Sequence, residues 1–326
     1  MEFRLDAGQV ELQQTVDRFF ADRFPLDGLA EREGAPVDRG TWGELAAMGV
    51  LGLVADEATG GSGLGAVEAA IAFEQVGSHL VPGPLLWTVL AAPFVDGTAA
   101  GQLLVGGIEA DTVEDGSAVV EHAPDLDVLL VVDDEQIVAH RTADLPTPDP
   151  LLALDPLTPV GRFVGLGAGE PVADGAAVAA LRLLGTVLAA AELVGIASRA
   201  LETARAYALE REQFDVPIGS FQAIKHLLAD RYVAVNLAQS STYAAAAVLD
   251  DPRGDDPRRS ASGAKLLATE AALDGAGTAV QVLGGMGFTW DMLPNHLLKR
   301  AWVREASFGS ADDHALRVGS TLVTTL

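Results

Sequence analysis

The chain of 326 residues contains no cysteine. Disulfides and thiol chemistry are excluded, and the composition fits a reducing compartment, so the expected location is cytoplasmic. Basic residues are scarce: 21 Lys and Arg stand against 46 Asp and Glu, giving a formal net charge of −25. So acidic a surface lacks the cations that phosphate backbones or anionic headgroups require, which argues against nucleic acid or an anionic membrane as partner. Aromatics make up only 6% of the residues while 49% are hydrophobic, so the core must be built largely from Ala, Leu and Val. No basic segment leading into an apolar run opens the chain at Met1-Glu2-Phe3-Arg4-Leu5-Asp6, and no secretory signal is expected. The most apolar run, Gly175 to Ile196, is interrupted by Arg182 and Glu192 and reads as a buried helix rather than a membrane span. No internal repeat, Ser-His-Asp arrangement or phosphate-binding P-loop is legible. His226, His296 and His314 lack the spacing of metal ligands, so no metal site is expected.

What is present gives an α+β chain in three segments. Leu12, Val16, Phe19 and Phe20 recur at helical spacing and predict a helix over Val10 to Phe24. Thr41 and Glu44 form a capping-box pattern before Leu45, and a further helix is expected from Val67 to Gly77. The glycine-rich Ala58 to Gly65 between them reads as a connecting loop. From Asp96 to Gly175 short apolar runs alternate with Gly, Pro and Asp clusters: 102–105, 118–120, 128–132, 136–139 and 162–166 predict strands. Two Ala/Leu-rich helical runs follow, Ser220 to Leu249 and Ser260 to Leu283. The division is an N-terminal helical domain over 1–97, a small β domain over 98–175 and a C-terminal four-helix bundle over 176–326. The small side chains of Ala244 to Ala247 and the Gly and Ala content of Gly263 to Gly277 allow close helix approach and predict an obligate oligomer.

Two short stretches at helix ends have the chemistry of a ligand site. Arg211-Glu212-Gln213-Phe214 offers a planar fork of donors suited to a phosphate or pyrophosphate, with an amide beside it. In Gln281-Val282-Leu283-Gly284-Gly285-Met286-Gly287 the glycines remove the Cβ atoms that would keep backbone N–H groups from an anion. Taken singly, a glycine pair after a helix is more often a C-cap, and an Arg/Glu/Gln cluster more often a solvated face. The glycines follow a helix rather than a strand, so this is not the dinucleotide-binding fingerprint of a doubly wound sheet.

Together, and in this order, the stretches resemble the acyl-CoA dehydrogenases. Arg211 to Asp230 is similar to that family's R-x-Q-F-G-x-P-I-x-x-F-Q segment. Gln281 to Trp290, followed by His296 and Lys299-Arg300-Ala301, is similar to its Q-x-x-G-G-x-G-F-T-W/E segment and the helix after it. A weaker N-terminal echo is the glycine stretch before a helix ending in E-x-x-G, here Glu74 to Gly77, without the usual opening tyrosine.

The resemblance also marks what is missing. The T-E-P-x-x-G-S-D and W-x-T/S stretches, which in the family hold the flavin ring and the thioester, are not visible, and the β segment is short. Abstracting an α-proton needs a carboxylate while the flavin takes the β-hydride from the other face. The family's glutamate precedes a Gly-Thr/Ser pair, and here Phe308 precedes Gly309-Ser310. The alternative position in some relatives falls, by gap-free counting from Arg211, on Gly185 beside Thr186. No catalytic residue is therefore assigned. Glu192, Glu305 and Asp312 with Asp313 are the carboxylates that could substitute, although Glu192 among alanines reads first as a packing residue.

In the family the pyrophosphate and adenosine end of each FAD is gripped by a neighbouring subunit through the Arg-x-Gln-Phe and Gln-x-x-Gly-Gly motifs. The resemblance therefore implies a chain like the shorter, non-catalytic subunit of actinobacterial α2β2 acyl-CoA dehydrogenases that act on steroid side-chain CoA thioesters. Arg211, Gln213, Phe214, Gln281, Gly284 and Gly285 would hold FAD shared with a longer partner that carries the base. Acyl-CoA is the implied substrate and electron-transfer flavoprotein the implied acceptor. A homo-oligomeric dehydrogenase with a relocated base, and a flavin-free scaffold protein, are the alternatives.

Overall fold

The computed structural model describes residues 5–324. Met1 to Arg4 of the stretch read for a signal lie outside them. Two compact units are formed, one from Met1–Ala30, Ala66–Val81 and Thr186–Leu326, the other from Glu31–Gly65 and Pro82–Gly185.

The first unit is helical. It contains α1 (Ala7–Arg23), and α3 (Ala66–Ser78) follows α2 (Arg39–Ala47) of the second unit. Val16 and Phe20 carry the buried stripe of α1, and Asp6 with Gln9 forms its capping box. The long helix α5 (Gly175–Glu210) runs well past the apolar stretch read from sequence, because its alanines continue unbroken by Gly-Pro punctuation. By length and composition α5 could cross a membrane, yet 67% of its most apolar window is buried inside the protein, as in a core helix. Then come α6 (Gln222–Asp250), α7 (Pro257–Leu283), α8 (Leu293–Ala306) and α9 (Ala311–Thr324).

The crossing of α3 and α5 depends on two glycines. A Cβ on Gly77 would lie 1.9 Å from the Glu192 carbonyl oxygen, and one on Gly195 would lie 1.9 Å from that of Glu74. Backbone meets backbone there, so no larger residue fits without separating the helices. Asp250, at the far end of α6, accepts from the Ala66 N–H at 2.7 Å and the Val67 N–H at 3.2 Å, satisfying the start of α3.

The second unit holds α2, α4 (Leu85–Ala91) and the strands. One sheet has the order β1-β3-β4-β7, formed by β1 (Val105–Glu109), β3 (Val128–Val132), β4 (Gln136–Arg141) and β7 (Glu170–Asp174), with β1 and β3 parallel and the other pairs antiparallel. The other has the order β2-β6-β5, all antiparallel, from β2 (Ser117–Glu121), β5 (Asp149–Leu151) and β6 (Val160–Val164). Val-Leu-Leu-Val-Val in β3 is a continuous apolar run because that strand is interior, paired on both sides and buried at four of its five positions. Two sequence expectations shift here. The strand expected at 102–105 begins only at Val105, and the cap of α2 is Asp38, whose carboxylate accepts from the Gly40 and Thr41 N–H groups. Thr41 sits inside the first turn and donates its own hydroxyl to Asp38 at 2.6 Å.

The architecture is the expected one: a helical N-terminal part, a small sheet region and a helical C-terminal region.

Candidate active site and cofactor-binding face

Both sequence motifs lie on the helical unit. After α5 the chain makes a small hairpin of β8 (Glu212–Gln213) and β9 (Val216–Pro217), closed by Phe214 and Asp215 at φ +55° and +62°. Two consecutive positive φ values are the geometry of a type I′ turn, which Asn-Gly usually fills. A phenylalanine there costs on the order of 1–2 kcal/mol, and strain of this sort gathers at functional sites. The ring it holds out is 87% exposed and meets Phe221 edge-on at 6.2 Å. The hairpin is fixed to the end of α5 by the Arg211 N–H bond to the Tyr207 carbonyl at 2.9 Å and the Ile218 N–H bond to the Arg211 carbonyl at 2.7 Å. Gln213 turns its amide onto the Glu212 carbonyl at 2.8 Å.

The second motif closes α7. Gly284 takes φ +65°, and the chain continues as a tight turn through Phe288. A Cβ built on Gly284 or Gly285 would meet nothing within 4 Å, so open space lies beside that backbone. Thr289 donates to the Met286 carbonyl at 2.8 Å, Asn295 to the Phe288 carbonyl at 3.1 Å, and the Lys299 ammonium sits 3.2 Å from the centre of the Trp290 ring.

Topology brings the two motifs to one end. Helices α6 and α7 are of similar length, pack against each other and are joined by a loop of six residues, so the start of α6 and the end of α7 lie together. Arg211, Gln213, Phe214, Gln281, Gly284 and Gly285 are all exposed at that end. Among the described residues the Arg211 guanidinium and the Gln281 amide make no hydrogen bond or ion pair. No residue from Gln222 to Ala234 is buried, although Tyr232 and Val233 are apolar and 61% and 56% exposed. Phe288, Trp290 and Met286 are exposed as well. Donors for an anion thus stand at a helix end that also carries several exposed apolar side chains.

Neither family base position holds a carboxylate, and of the substitute acids Glu192, Glu305 and Asp313 are engaged by neighbours while Asp312 is exposed to solvent. Phe308 is half-buried at φ +59°, followed by Gly309 at +107°, in the turn between α8 and α9. Gly185 is a buried position of α5. Glu192 is 3% exposed, 3.0 Å from Arg304 Nε and 3.6 Å from an Arg300 nitrogen, so it is held by two buried guanidinium groups. Glu305 accepts from the Ala311 N–H at 2.9 Å, a helix-capping bond. Asp312 lies in the exposed first turn of α9, and Asp313 caps it by accepting from Ser310 N–H and Oγ, bonds that hold its pKa below the usual carboxylate range.

Two buried polar side chains had no role assigned from the sequence. Glu74, in α3, accepts from the Tyr243 hydroxyl at 2.6 Å and the Gln239 amide at 2.8 Å, and burial raises its pKa. Lys265, fully buried, interrupts a small-residue stripe of α7 that includes Ala261, Ala264 and Ala268. A lysine on such a stripe was the available signal. Among the described residues no group of three His, Asp or Glu is placed to hold a metal.

The sequence matches the acyl-CoA dehydrogenase N-terminal domain over residues 6–96 and the acyl-CoA dehydrogenase C-terminal domain over residues 174–322. Acyl-CoA dehydrogenase IpdE2 of Mycolicibacterium smegmatis is 35% identical over 260 residues, which is 78% of either chain. Acyl-CoA dehydrogenase FadE34 of Mycobacterium tuberculosis is 33% identical over 288 residues, 83% of this chain, and the chain spans 40% of that relative's length. A chain in the ChsE4-ChsE5 complex from Mycobacterium tuberculosis is similar in fold, with a TM-score of 0.86 at 25% identity over 99% of both chains. The Tcur3481-Tcur3483 steroid ACAD shares the fold at a TM-score of 0.83, 24% identity and 98% coverage of both chains. The chain belongs to the acyl-CoA dehydrogenase family.

Proposed function

We propose that the chain is a non-catalytic subunit of a heteromeric, FAD-dependent acyl-CoA dehydrogenase, a complex that dehydrogenates an acyl-CoA thioester between its α and β carbons. One observation carries this reading: the exposed, unengaged Arg211 and Gln281 stand at the uncovered end of the α6/α7 pair, while the base position is held by Phe308. Donors without a substrate-side base describe a chain that completes a neighbour's site.

The residues suit the distal half of FAD. Arg211 can present its fork to the pyrophosphate, Gln213 and Gln281 can donate amide N–H groups, and the open backbone at Gly284 and Gly285 admits close approach. The exposed Phe214 ring offers a face to the adenine. When bound, FAD supplies the acceptor for the β-hydride. The proton acceptor, the flavin-ring pocket and most of the thioester pocket come from a longer acyl-CoA dehydrogenase subunit. Support comes from the heteromeric ChsE4-ChsE5 complex and the steroid ACAD as structural relatives, which also favour a steroid side-chain or fatty acyl thioester as substrate. The assembly is then an α2β2 heterotetramer in the cytoplasm, passing electrons to electron-transfer flavoprotein.

Arg211→Ala in the co-expressed complex tests this. Losing a charge-assisted contact to pyrophosphate, about 1.5–3 kcal/mol, should weaken flavin retention by roughly one to two orders of magnitude while the subunits still co-purify. Full flavin occupancy in the variant would overturn the assignment.

A further inference from the structure

Lys265 presents three N–H bonds to three backbone carbonyls: those of Glu305 at 2.8 Å, Ser307 at 2.9 Å and Gly309 at 3.0 Å. All three belong to the end of α8 and the turn that carries Phe308. That turn is also held by Glu305 on the Ala311 N–H, by Asp313 on Ser310, by Arg304 on the Ser307 hydroxyl at 3.2 Å, and by the His314 ring on the Phe308 backbone. Its central residue is a phenylalanine in the left-handed region, a conformation that persists only where the surroundings over-determine it. An ammonium has three donors, whereas a neutral amine has two and a lone pair that would face a carbonyl oxygen.

We infer that Lys265 is a positioning residue that locks the Ser307–Ser310 turn, and with it the Phe308 ring, in its charged form only. The turn is therefore a proton-dependent latch at the place where related chains carry their base. Its importance within a heteromer rests on the reading above; the latch itself is a property of this chain alone.

The charge balance around it fits. Burial depresses the lysine to about 8, with Arg304 and Arg317 acting in the same direction and Glu305 and Asp313 opposing. Those groups face it from α8 and α9, and Glu192 of α5 reaches the cluster through Arg304. His314, whose Nδ1 lies 3.1 Å from the Ser262 hydroxyl, is driven to about 4, chiefly by burial, and is neutral throughout the relevant range.

Amide hydrogen exchange on the full chain, without flavin or partner, tests this. Protection of the Ser310, Ala311 and His314 amides is measured from about pH 6 to about pH 10 and corrected for intrinsic exchange, with α6 amides beyond Val235 as reference. The wild type should lose about tenfold protection at the turn as pH passes the lysine's titration, with the reference unchanged. Lys265→Met should be unprotected at the turn across the range, and Lys265→Arg pH-independent, because a guanidinium keeps its charge. Flat corrected protection in the wild type, or a Lys265→Met turn as protected as the wild type, would overturn the inference. If Lys265→Met does not fold by circular dichroism, the wild-type pH series decides alone. Failure here would leave flavin binding by the complex unaffected, and a colourless complex would leave this result standing.

Discussion

Replacing Glu192 by glutamine separates a structural carboxylate from a relocated base. Glu192 is 3% exposed and its partners Arg304 and Arg300 are 5% and 1% exposed, so the charge cannot be replaced by water. The variant keeps the shape and one acceptor but leaves two buried guanidinium groups facing a neutral amide. Removing one member of a buried ion pair typically costs about 3–5 kcal/mol, and the retained acceptor places this change near the lower end. At an unfolding entropy of about 2.1 cal/mol/K per residue over the full chain, about 3 kcal/mol lowers Tm by about 4 °C. Differential scanning calorimetry measures the shift, and the turnover of the partner complex at a temperature where both proteins are folded measures the chemistry. The reasoning predicts a lower Tm with turnover unchanged. An unchanged Tm with turnover lost would refute it and identify Glu192 as the base.

Other positions give independent expectations. Gly195→Ala places a Cβ against the Glu74 carbonyl and should destabilise by about 1–3 kcal/mol or more, read as a lower urea midpoint with an unchanged slope. Glu74→Gln should change the pH dependence of stability. Burial raises the Glu74 acid above its unfolded value, so its stabilising contribution is complete below that value and is lost as pH rises through the folded one. The variant should therefore gain on the wild type at neutral pH, and the gain should vanish in mild acid; a difference independent of pH would contradict this. Asp38→Ala removes the cap of α2 and should cost about 1 kcal/mol by thermal melting, whereas Thr41→Ala should cost less because Thr41 only donates to that cap.

The longer helices were legible because each repeats a strong local signal: α3, α6 and α7 lie within a few residues of their expected spans, as does the all-apolar β3, whereas α4 and α9 were not among the expected elements. Asp149-Pro150-Leu151 and Glu170 to Asp174 were not, since exposed edge segments carrying proline and acid lack the apolar alternation that marks a strand. Chain order also hides that residues 66–81 join 186–326 in one compact unit, because the decisive contact is two glycine backbones distant in sequence. Motif spacing singled out Arg211 and Gln281, which the fold leaves exposed at one end of the α6/α7 pair, but not the strained turn that holds Phe214 outward, since Phe-Asp is not a residue pair chosen for positive φ. Glu192 could be read only as one acid among alanines; its arginine partners lie more than a hundred residues away. Lys265 and Glu74 depend likewise on folded geometry, as both find their partners through the packing of distant helices.

The most direct measurement is the flavin absorbance spectrum of the chain purified alone and of the chain co-expressed with a longer acyl-CoA dehydrogenase subunit. The account predicts a colourless lone chain and a yellow complex with one FAD for each pair of unlike chains. A lone chain that purifies yellow and is bleached by an acyl-CoA would contradict it, as would a complex that carries no flavin.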